Sequence, residues 1–400
     1  MASARGFRVL ICGASIAGPT LGYWLAEYGF EVEIVERASQ VRGGGYPIDL
    51  RGSAMDVAER MGMADALRQA HLDISKMTLI DREVEPILSV YPEHFSGGTR
   101  GHDVEVPRGD LARLLYGRTR ERCRYRFNDC AVAIEDEGDS VAVEFASGDS
   151  GRYDYVIGAD GLHSKTRAFA FGAEEPFIRH LGFFFVGFTL PNIFDLDREQ
   201  QVYSTAGRMA GLSSVQGRER VTALLTVALD RMPTEAERAP EVQRERFKAL
   251  FAEDGWHVPR LLEELDRAED PYFDSVSQIR MPAWSKGRIA LVGDAAYAPS
   301  FVTGQGSSLA LSGAYVLAGE LALHADDPAA AFAAYEREFR PFAEANQDIA
   351  GNGWQFIPAD AESERRRNER LRANGLPTAA AEQRRAIHNG LRIKDYYADR

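Results

Sequence analysis

The sequence predicts an α/β protein with a parallel-sheet domain, an inserted mixed or antiparallel sheet, and C-terminal helices. Three observations favour this class. Residues 7–36 have the pattern of a strand, a glycine turn, a helix and a second strand. Apolar runs that end in an acidic glycine turn return at 154–161 and 288–294, whereas residues 177–229 have the runs and turn glycines of antiparallel strands. Because the two patterns are interleaved, the second sheet is expected to be an insertion in the first domain.

The composition is that of a folded protein of two or three domains. Of its 400 residues, 45% are hydrophobic, which is enough for a sizeable core. The formal net charge of −13 argues against nucleic-acid binding. Three cysteines give no disulfide framework and favour a reducing, cytoplasmic compartment. The apolar run 181–190 has about half the length of a membrane span, and no His or Cys cluster predicts a metal site.

The N-terminal unit has the layout of a dinucleotide-binding motif. Gly13 permits the tight turn after the first strand, and Gly18 permits close packing of the helix on the sheet. The helix N-terminus then faces a pyrophosphate, and Glu36, at the end of the second strand, can accept hydrogen bonds from a ribose. The middle glycine of the motif is replaced by Ser15, whose hydroxyl group can itself bond a phosphate. A plain helix-capping turn is the alternative.

Several charged residues follow this motif. The next loop contains Arg42, three consecutive glycines and Asp49, which indicates close approach to a ligand or simple mobility. Taken alone, Asp49 and Arg51 fit a solvated surface pair equally well. Arg108 begins a helix, where a positive charge opposes the helix dipole, so an anionic group is expected beside it. Arg37 and Arg42 are also expected to lie near the nucleotide phosphates, because they follow the dinucleotide-binding motif in the sequence.

Two later strands end in acidic turns, at the edge where parallel sheets bind ligands. The first strand, 154–161, ends at Asp160. The second leads to a carboxylate, a proline loop and a glycine-bracketed turn that opens the apolar helix 307–323. This order places a hydrogen-bond acceptor and free backbone N–H groups around one ligand. The ligand-binding residues predicted here are Gly293, Asp294, Pro299, Gly304, Gln305 and Gly306.

The inserted region carries the candidate substrate residues. One side of such a sheet can be core and the other a ligand wall. The substrate-pocket candidates are Phe183, Phe185, Phe188 and Phe301. The predicted boundaries are 1–72, 100–172 and 283–345 for the dinucleotide-binding domain, 73–99 and 173–282 for the substrate domain, and 346–400 for a C-terminal helical segment. The Arg/Glu-rich tail from Asp360 is expected to be a solvated helix or a fraying tail.

Together these elements resemble the single-component (class A) FAD-dependent aromatic hydroxylases, monooxygenases with a para-hydroxybenzoate hydroxylase-like fold. The pattern is closest to tetracycline-inactivating and polyketide-tailoring flavin monooxygenases and spans roughly residues 7–340. It implies an FAD-binding, Rossmann-like domain of the GR2 type. The elements that carry the resemblance are the glycine turn with Glu36, Arg108, the Gly158-Ala159-Asp160-Gly161 turn with Ser164 and Arg167, and Gly293-Asp294 with Pro299 and Gly304-Gln305-Gly306.

The resemblance also implies roles for individual residues. Arg42 matches an arginine implicated in contact with the nicotinamide cofactor, and Asp49 matches an acid that meets the flavin. Arg108 and Asp294 are expected to hold FAD, with Asp294 at the ribityl or pyrophosphate portion. Asp160 and its turn are associated in the family with both FAD and nicotinamide binding.

Two positions depart from the family pattern. Tyr297 stands where histidine is common, and a tyrosine cannot replace histidine as a base near neutral pH without a large pKa shift. Ser308 stands where asparagine is usual, which changes the polar contacts near the isoalloxazine ring.

The function implied is an FAD-dependent monooxygenase in antibiotic biosynthesis or inactivation. In this family NADPH or NADH reduces FAD, O2 forms a flavin C4a-hydroperoxide, and one oxygen atom enters an aromatic or polyketide-like substrate. The flavin does the chemistry, so no side chain is assigned as a catalytic base. Nicotinamide is expected to bind transiently, because the chain has only one dinucleotide motif. A monomer or a homodimer is expected, with no membrane or nucleic-acid partner.

Three alternatives remain open from the sequence. A flavin-binding protein that sequesters a ligand without turnover would use the same flavin-holding residues. A flavin-dependent halogenase is disfavoured, because its Trp-x-Trp-x-Ile-Pro motif is absent and each tryptophan stands singly. A dehydrogenase that uses NAD alone is disfavoured by the acidic turns at Asp160 and Asp294.

Overall fold

The computed structural model describes residues 6–41, 43, 46–214, 219–229, 231, 233–234, 237, 239–269, 271–351 and 357–396. Its strands are β1 (Arg8–Cys12), β2 (Glu31–Glu36), β3 (Pro47–Leu50), β4 (Lys76–Ile80), β5 (Pro86–Val90), β6 (Val104–Pro107), β7 (Arg124–Phe127), β8 (Ala131–Asp136), β9 (Val141–Phe145), β10 (Ser150–Tyr153), β11 (Tyr155–Gly158), β12 (Ile178–Pro191), β13 (Glu199–Thr205), β14 (Arg208–Ser213), β15 (Arg220–Ala228), β16 (Tyr272–Ile279), β17 (Ser285–Lys286) and β18 (Ile289–Leu291). Its helices are α1 (Ala17–Glu27), α2 (Ser53–Arg60), α3 (Ala64–Gln69), α4 (Pro92–Ser96), α5 (Arg108–Thr119), α6 (Lys165–Phe171), α7 (Pro240–Leu250), α8 (Val258–Arg267), α9 (Asp294–Tyr297), α10 (Gly306–Leu323), α11 (Pro328–Asp348), α12 (Ala361–Asn374) and α13 (Thr378–His388).

The first sheet has the strand order β17-β18-β11-β1-β2-β7. Strand β1 lies between β11 and β2 and is parallel to both, and β18 and β7 extend the parallel set. Only β17, paired with β18, runs antiparallel among the described strands of this sheet. The carboxyl ends of β1, β2, β11 and β18 therefore meet at one edge, where ligands bind in sheets of this kind. The separate three-stranded sheet β10-β9-β8 packs its apolar side against β1 and β11.

Helices α1 and α10 cover one face of the first sheet. Their aromatic side chains meet at Trp24 and Tyr315, whose ring centroids are 4.8 Å apart in an edge-to-face arrangement. Among the described helices, α10 alone is long and apolar enough to cross a membrane, but 83% of it is buried inside the protein. Its all-round apolarity is explained by this burial between layers of the fold.

The second sheet has the order β16-β12-β15-β14-β13-β4-β5 and is antiparallel except where β13 pairs with β4. Side chains of β12 alternate between its faces. Phe184 and Phe188 join the core beneath α7 and α8, with Phe247 and Leu261. The opposite face, which includes Phe185, faces the edge of the first sheet where its parallel strands end. The observed architecture is the predicted α/β class with a mixed second sheet.

The Arg/Glu-rich tail differs from the expectation of a merely solvated helix. One side of α12 does carry exposed ion pairs, with 3.1 Å between Arg366 and Glu362. On the other side of α12, however, the Ala206 N–H donates to Glu364 Oε2 at 2.9 Å, and buried Arg367 donates to Ser204 Oγ at 2.8 Å. Because the spacing also places charged residues on an inner face, α12 docks on the second sheet through polar contacts.

Candidate active site

A cavity of about 660 Å³ lies between the carboxyl edge of the first sheet and the open face of the second. Most of the predicted site residues line it: Gly13, Ser15, Glu36, Arg37, Asp49, Arg108, Asp160, Phe185, Asp294, Pro299, Phe301, Gly304 and Gly306. Gly18, Gly293, Gln305, Phe183 and Phe188 are not part of its wall. Arg42 lies outside the described residues.

The glycine turn is shaped by close backbone contacts. Gly13 has φ +111°, and a Cβ atom there would lie 2.4 Å from the carbonyl oxygen of Ala159. A Cβ atom at Gly18 would lie 1.9 Å from the carbonyl oxygen of Gly13. Both distances are shorter than a real contact, so each position needs glycine for steric reasons. Gly18 thus shapes the cavity without lining it, because it lets α1 start directly against the turn.

Glu36 is held over this turn by two backbone donors. The N–H groups of Ala14 and Ala38 donate to its carboxylate at 3.0 and 2.9 Å. Helix α1 begins after Ile16 with no side-chain cap from the described residues and no acidic residue in its first turn. Its N–H groups and positive dipole end therefore remain for an anion. A ribose beside Glu36 and a pyrophosphate at α1 match this set of donors and acceptors.

Ser15, the departure from the glycine motif, contacts the second basic element. The Arg108 guanidinium donates to Ser15 Oγ at 2.7 Å. Arg108 begins α5, so it brings a positive charge from a distant part of the chain to the glycine turn. Hence Ser15 orients the arginine beside the place where a phosphate would bind.

Asp160 is fixed by its own turn. Its carboxylate accepts hydrogen bonds from Ser164 Oγ at 2.5 Å and from the Thr166 N–H at 2.9 Å. Arg167 is fully buried and links Glu174, at 2.5 Å, to the carbonyl oxygen of Ala295, at 3.1 Å. The Ser164 and Arg167 positions of the motif therefore stabilise the turn, and Arg167 joins it to the segment that carries Asp294.

Asp294 follows Gly293, which has φ +66°, and its side chain is exposed to the cavity. The pKa of this carboxyl group is raised above its usual value. Desolvation by the surrounding protein is the main cause, and the positive charge of Arg108 only partly offsets it. A Cβ atom at Gly306 would lie 3.7 Å from Asp294 Oδ1. Helix α10 starts at Gly306 with no side-chain cap from the described residues, so a carboxylate and open N–H groups lie side by side there.

The loop that carries Asp49 packs against the start of α10. Arg51 pairs with Asp49 at 2.5 Å, and the Arg51 side chain is only 7% exposed. Ser308, the second departure from the family pattern, accepts from the Arg51 N–H at 3.1 Å and donates to the Asp49 carbonyl oxygen at 3.3 Å. The pair is therefore not the solvated surface pair that the sequence left open, but a half-buried pair in the cavity wall.

Tyr297, the first departure, lies away from the cavity. It is 1% exposed, its ring packs 4.6 Å from that of Trp284, and its hydroxyl group is 3.1 Å from the hydroxyl group of Tyr335. Burial raises the pKa of Tyr297. The side chain is therefore a neutral core residue at the end of α9 that packs against α11, not a base that faces a ligand.

Several cavity residues have no motif that reveals them. His163 lies between Glu174 Oε1, at 2.8 Å from Nδ1, and Asp274 Oδ1, at 3.3 Å from Nε2. These hydrogen bonds, first that to Asp274, raise the pKa of His163 to about 9. Tyr272 donates to the other Asp274 oxygen at 2.6 Å. Alternation along β16 indicates which residues share a face, but not that the face meets the Asp160 turn.

The fold and the site define a dinucleotide-binding protein, since the donors and acceptors at one sheet edge suit a ribose and a pyrophosphate. The family model described as "FAD binding domain" matches residues 7–350, and the chain belongs to this family. An uncharacterised protein of Mycobacterium tuberculosis is 40% identical over 394 residues, which cover 97% of this chain and 99% of that one. A flavin-dependent monooxygenase of an unknown prokaryotic organism is 38% identical over 341 residues, 85% and 87% of the two chains.

A solved structure agrees with these relatives. The crystal structure of tetracycline destructase Tet(55) is 33% identical, has a TM-score of 0.85, and is matched over 99% of this chain and 100% of that chain. The predicted family, fold class and FAD cofactor are confirmed at this level. The protein is an oxidoreductase of the flavin-dependent monooxygenase family.

Proposed function

We propose that this protein transfers one oxygen atom from O2 to an aromatic or polyketide-like small molecule, with NADPH or NADH as reductant. One observation carries the proposal: a single cavity joins the nucleotide-binding edge of the first sheet to a broad face of the second sheet. A ligand on that face lies beside the place where the flavin ring would extend. The relatives named as monooxygenases, and a tetracycline destructase among the solved structures, support this chemistry.

The residues of the first wall fit FAD. Glu36 would hold the ribose, the N-terminus of α1 and Arg108 the pyrophosphate, and Asp294 the ribityl or pyrophosphate portion. The α10 N-terminus would stabilise negative charge on the pyrimidine edge of the ring. When bound, FAD supplies the electron transfer from the nicotinamide to oxygen. The protein itself binds and orients the cofactor and the substrate, and it excludes water from the cavity.

The second wall fits an uncharged, oxygen-rich ring system. Apolar side chains such as Met77 and Leu224 alternate there with the neutral polar groups Gln200, Ser213 and Thr222. Toward Asp294 the wall becomes aromatic, with Phe185 and Phe301 rings 4.5 Å apart and Tyr272 next to Phe185. Mixed apolar and hydrogen-bonding walls are typical of small-molecule sites.

The finer organisation is part of the proposal. We expect nicotinamide to bind transiently at the cavity, because the sequence carries one dinucleotide motif and FAD would occupy it. The domain boundaries given above, a cytoplasmic location and a monomeric or homodimeric state belong to the same proposal.

The test is a ligand panel with the purified flavoprotein. Tetracyclines and hydroxylated aromatic compounds are scored for stimulated NADPH and NADH oxidation, and products are analysed by mass spectrometry after turnover under ¹⁸O2. We expect ligand-dependent flavin reduction and a product that carries one ¹⁸O atom. Stoichiometric hydrogen peroxide without an oxygenated product across the panel would contradict the proposal. Tight binding without ligand-dependent flavin reduction would favour a sequestering protein.

A further inference from the structure

Glu105 is a cavity residue that belongs to none of the recognised motifs. It lies in β6 directly opposite Asp49 in β3, so the two carboxyl groups project from the same face of this two-stranded sheet. Both line the cavity. On one side, a Cβ atom at Gly304 would lie 2.8 Å from Asp49 Oδ2, which places Asp49 at the start of α10. On the other side, Glu105 reaches the second sheet at Gln200, so it lies where the two walls meet.

The neighbouring charges are divided unequally between the two acids. Arg51 pairs with Asp49 at 2.5 Å, whereas Glu105 has no ion pair within the described part of the chain. Glu105 Oε1 accepts a hydrogen bond from Gln200 Nε2 at 3.3 Å, and the same nitrogen contacts Ser213 Oγ. The titratable and charged groups that face Glu105 are Asp49, Arg51, Glu93 and His71, whose ring nitrogen bonds the Glu105 backbone.

The carboxyl group of Glu105 therefore keeps its proton. Burial is the main cause and the charge of Asp49 adds to it, while Arg51 and Gln200 act in the opposite direction, and together they raise the pKa of Glu105 to about 8. Since Oε1 accepts from Gln200, the proton resides on the other oxygen. At neutral pH Glu105 is a hydrogen-bond donor inside the cavity, beside the neutral side chains of Gln200 and Ser213.

We propose that Glu105 determines substrate specificity by donating a hydrogen bond from its carboxyl group to a carbonyl or enolate oxygen of the substrate. This inference rests on the proposed function. A substrate oxygen held at the junction of the two walls fixes which carbon of the ring system faces the flavin side. An amine at the same position of the substrate would meet the proton of an uncharged carboxyl group, so ligands with a carbonyl or enol group are favoured there.

The test uses the FAD-loaded protein with tetracycline, which carries enolised carbonyl groups, as the probe. Dissociation constants are measured from the change in flavin absorbance between pH 6 and 9.5 for wild type, Glu105→Gln and Glu105→Leu. The Gln side chain keeps a hydrogen-bond donor but cannot ionise, whereas the Leu side chain has no hydrogen-bond donor. Glu135→Gln, at an exposed position of β8, is the control for a surface change of the same kind.

The probe ionises identically in every sample, so the ratio of wild-type to Glu105→Gln dissociation constants isolates Glu105. We expect this ratio to be constant below pH 7 and to rise several-fold above about pH 8. Glu105→Leu should weaken binding about fivefold or more at neutral pH, as expected for one lost hydrogen bond, with unchanged FAD content. A flat ratio, unchanged binding in both variants, or failure of wild type to bind the probe overturns the inference.

Product analysis separates this inference from the proposed function. If the ratio rises as expected but turnover under ¹⁸O2 yields only hydrogen peroxide, the monooxygenase proposal fails and the Glu105 assignment stands. If an oxygenated product forms while the ratio is flat, the monooxygenase proposal stands and the Glu105 assignment fails.

Discussion

The two walls of the cavity are built in different ways. The wall on the first sheet consists largely of turns at the carboxyl ends of β1, β11 and β18, where Gly13 and Gly18 leave no room for a side chain beside the backbone. The wall on the second sheet consists of side chains on one face of β4, β5 and β12 to β16. A wall made of backbone tolerates few residues at each position, whereas a wall of side chains can change without changing the fold. The scaffold can therefore keep its cofactor while its substrate varies.

The largest effect is expected on the hidden face of the second sheet. Phe188→Ala removes a ring that is 2% exposed and packed beneath α7 and α8, so it should lower the free energy of unfolding by about 3–5 kcal/mol. Phe185→Ala is the matched control, because the space it leaves opens into the cavity. It should lower stability less and raise KM for the substrate. Urea unfolding and steady-state kinetics measure both, and equal stability losses would contradict the assignment of the two faces.

On the first wall, Gly18→Ala should cause the next largest loss. Its Cβ would collide with the Gly13 carbonyl oxygen, so we expect about 1–3 kcal/mol of lost stability and poor FAD retention. Gly117→Ala in α5, where a Cβ meets nothing within 4 Å, should be neutral or stabilising by up to about 1 kcal/mol. Thermal unfolding and the flavin-to-protein absorbance ratio report the outcome. A Gly18→Ala protein with full flavin content would contradict the steric argument.

Asp294→Ala should weaken FAD binding more than it lowers the stability of the fold. The loss of one charged acceptor beside the α10 N-terminus should weaken FAD binding about tenfold or more, equivalent to about 1.5–3 kcal/mol. Titration of FAD into the apoprotein gives the dissociation constant. Asp326→Ala, at an exposed turn after α10, should leave it unchanged. Full flavin content and wild-type turnover in Asp294→Ala would remove this residue from the site.

The pH dependence of stability is expected to change at the residue where the walls meet. The pKa of Glu105 rises from its usual 4.5 to about 8 on folding, so the folded protein binds its proton more tightly than the unfolded chain. Stability should therefore fall as pH rises between about 4.5 and 8. Glu105→Gln should remove that part of the slope, seen as a smaller decrease in urea midpoint from pH 5 to 8.5. Identical slopes would show that Glu105 does not hold the proton.

The same difference between the walls explains what could be predicted from the sequence. Strand, glycine and acid spacing identified the turn at Gly13 and the carboxylate of Glu36, because local backbone geometry requires those residues. Alternation showed that β12 has two faces but did not say which one meets the cavity, and Phe188 is on the other. The contact of Glu105 with Gln200 depends on strands of two different sheets that meet only in the folded chain.

Two residues that depart from the family motifs, Tyr297 and Ser15, have contacts that the sequence does not reveal. Tyr297 is a core residue because α11 supplies Tyr335 and Phe339 around it, which no local pattern indicates. Ser15 gains its partner, Arg108, from a helix far along the chain. The roles assigned to individual site residues and the domain boundaries stay predictions, since each needs a bound ligand or separate fragments to test it.

The position of α10 has a consequence for how the protein is made. Helix α1 ends at Glu27, but the α10 helix that packs on it begins only at Gly306, and β18 joins the first sheet at Ile289. During synthesis the apolar face of the N-terminal unit therefore stays without its α10 partner until most of the chain has left the ribosome. All strands of the inserted sheet, the last of which ends at Ile279, are available earlier. The second wall of the cavity can thus be complete before the first.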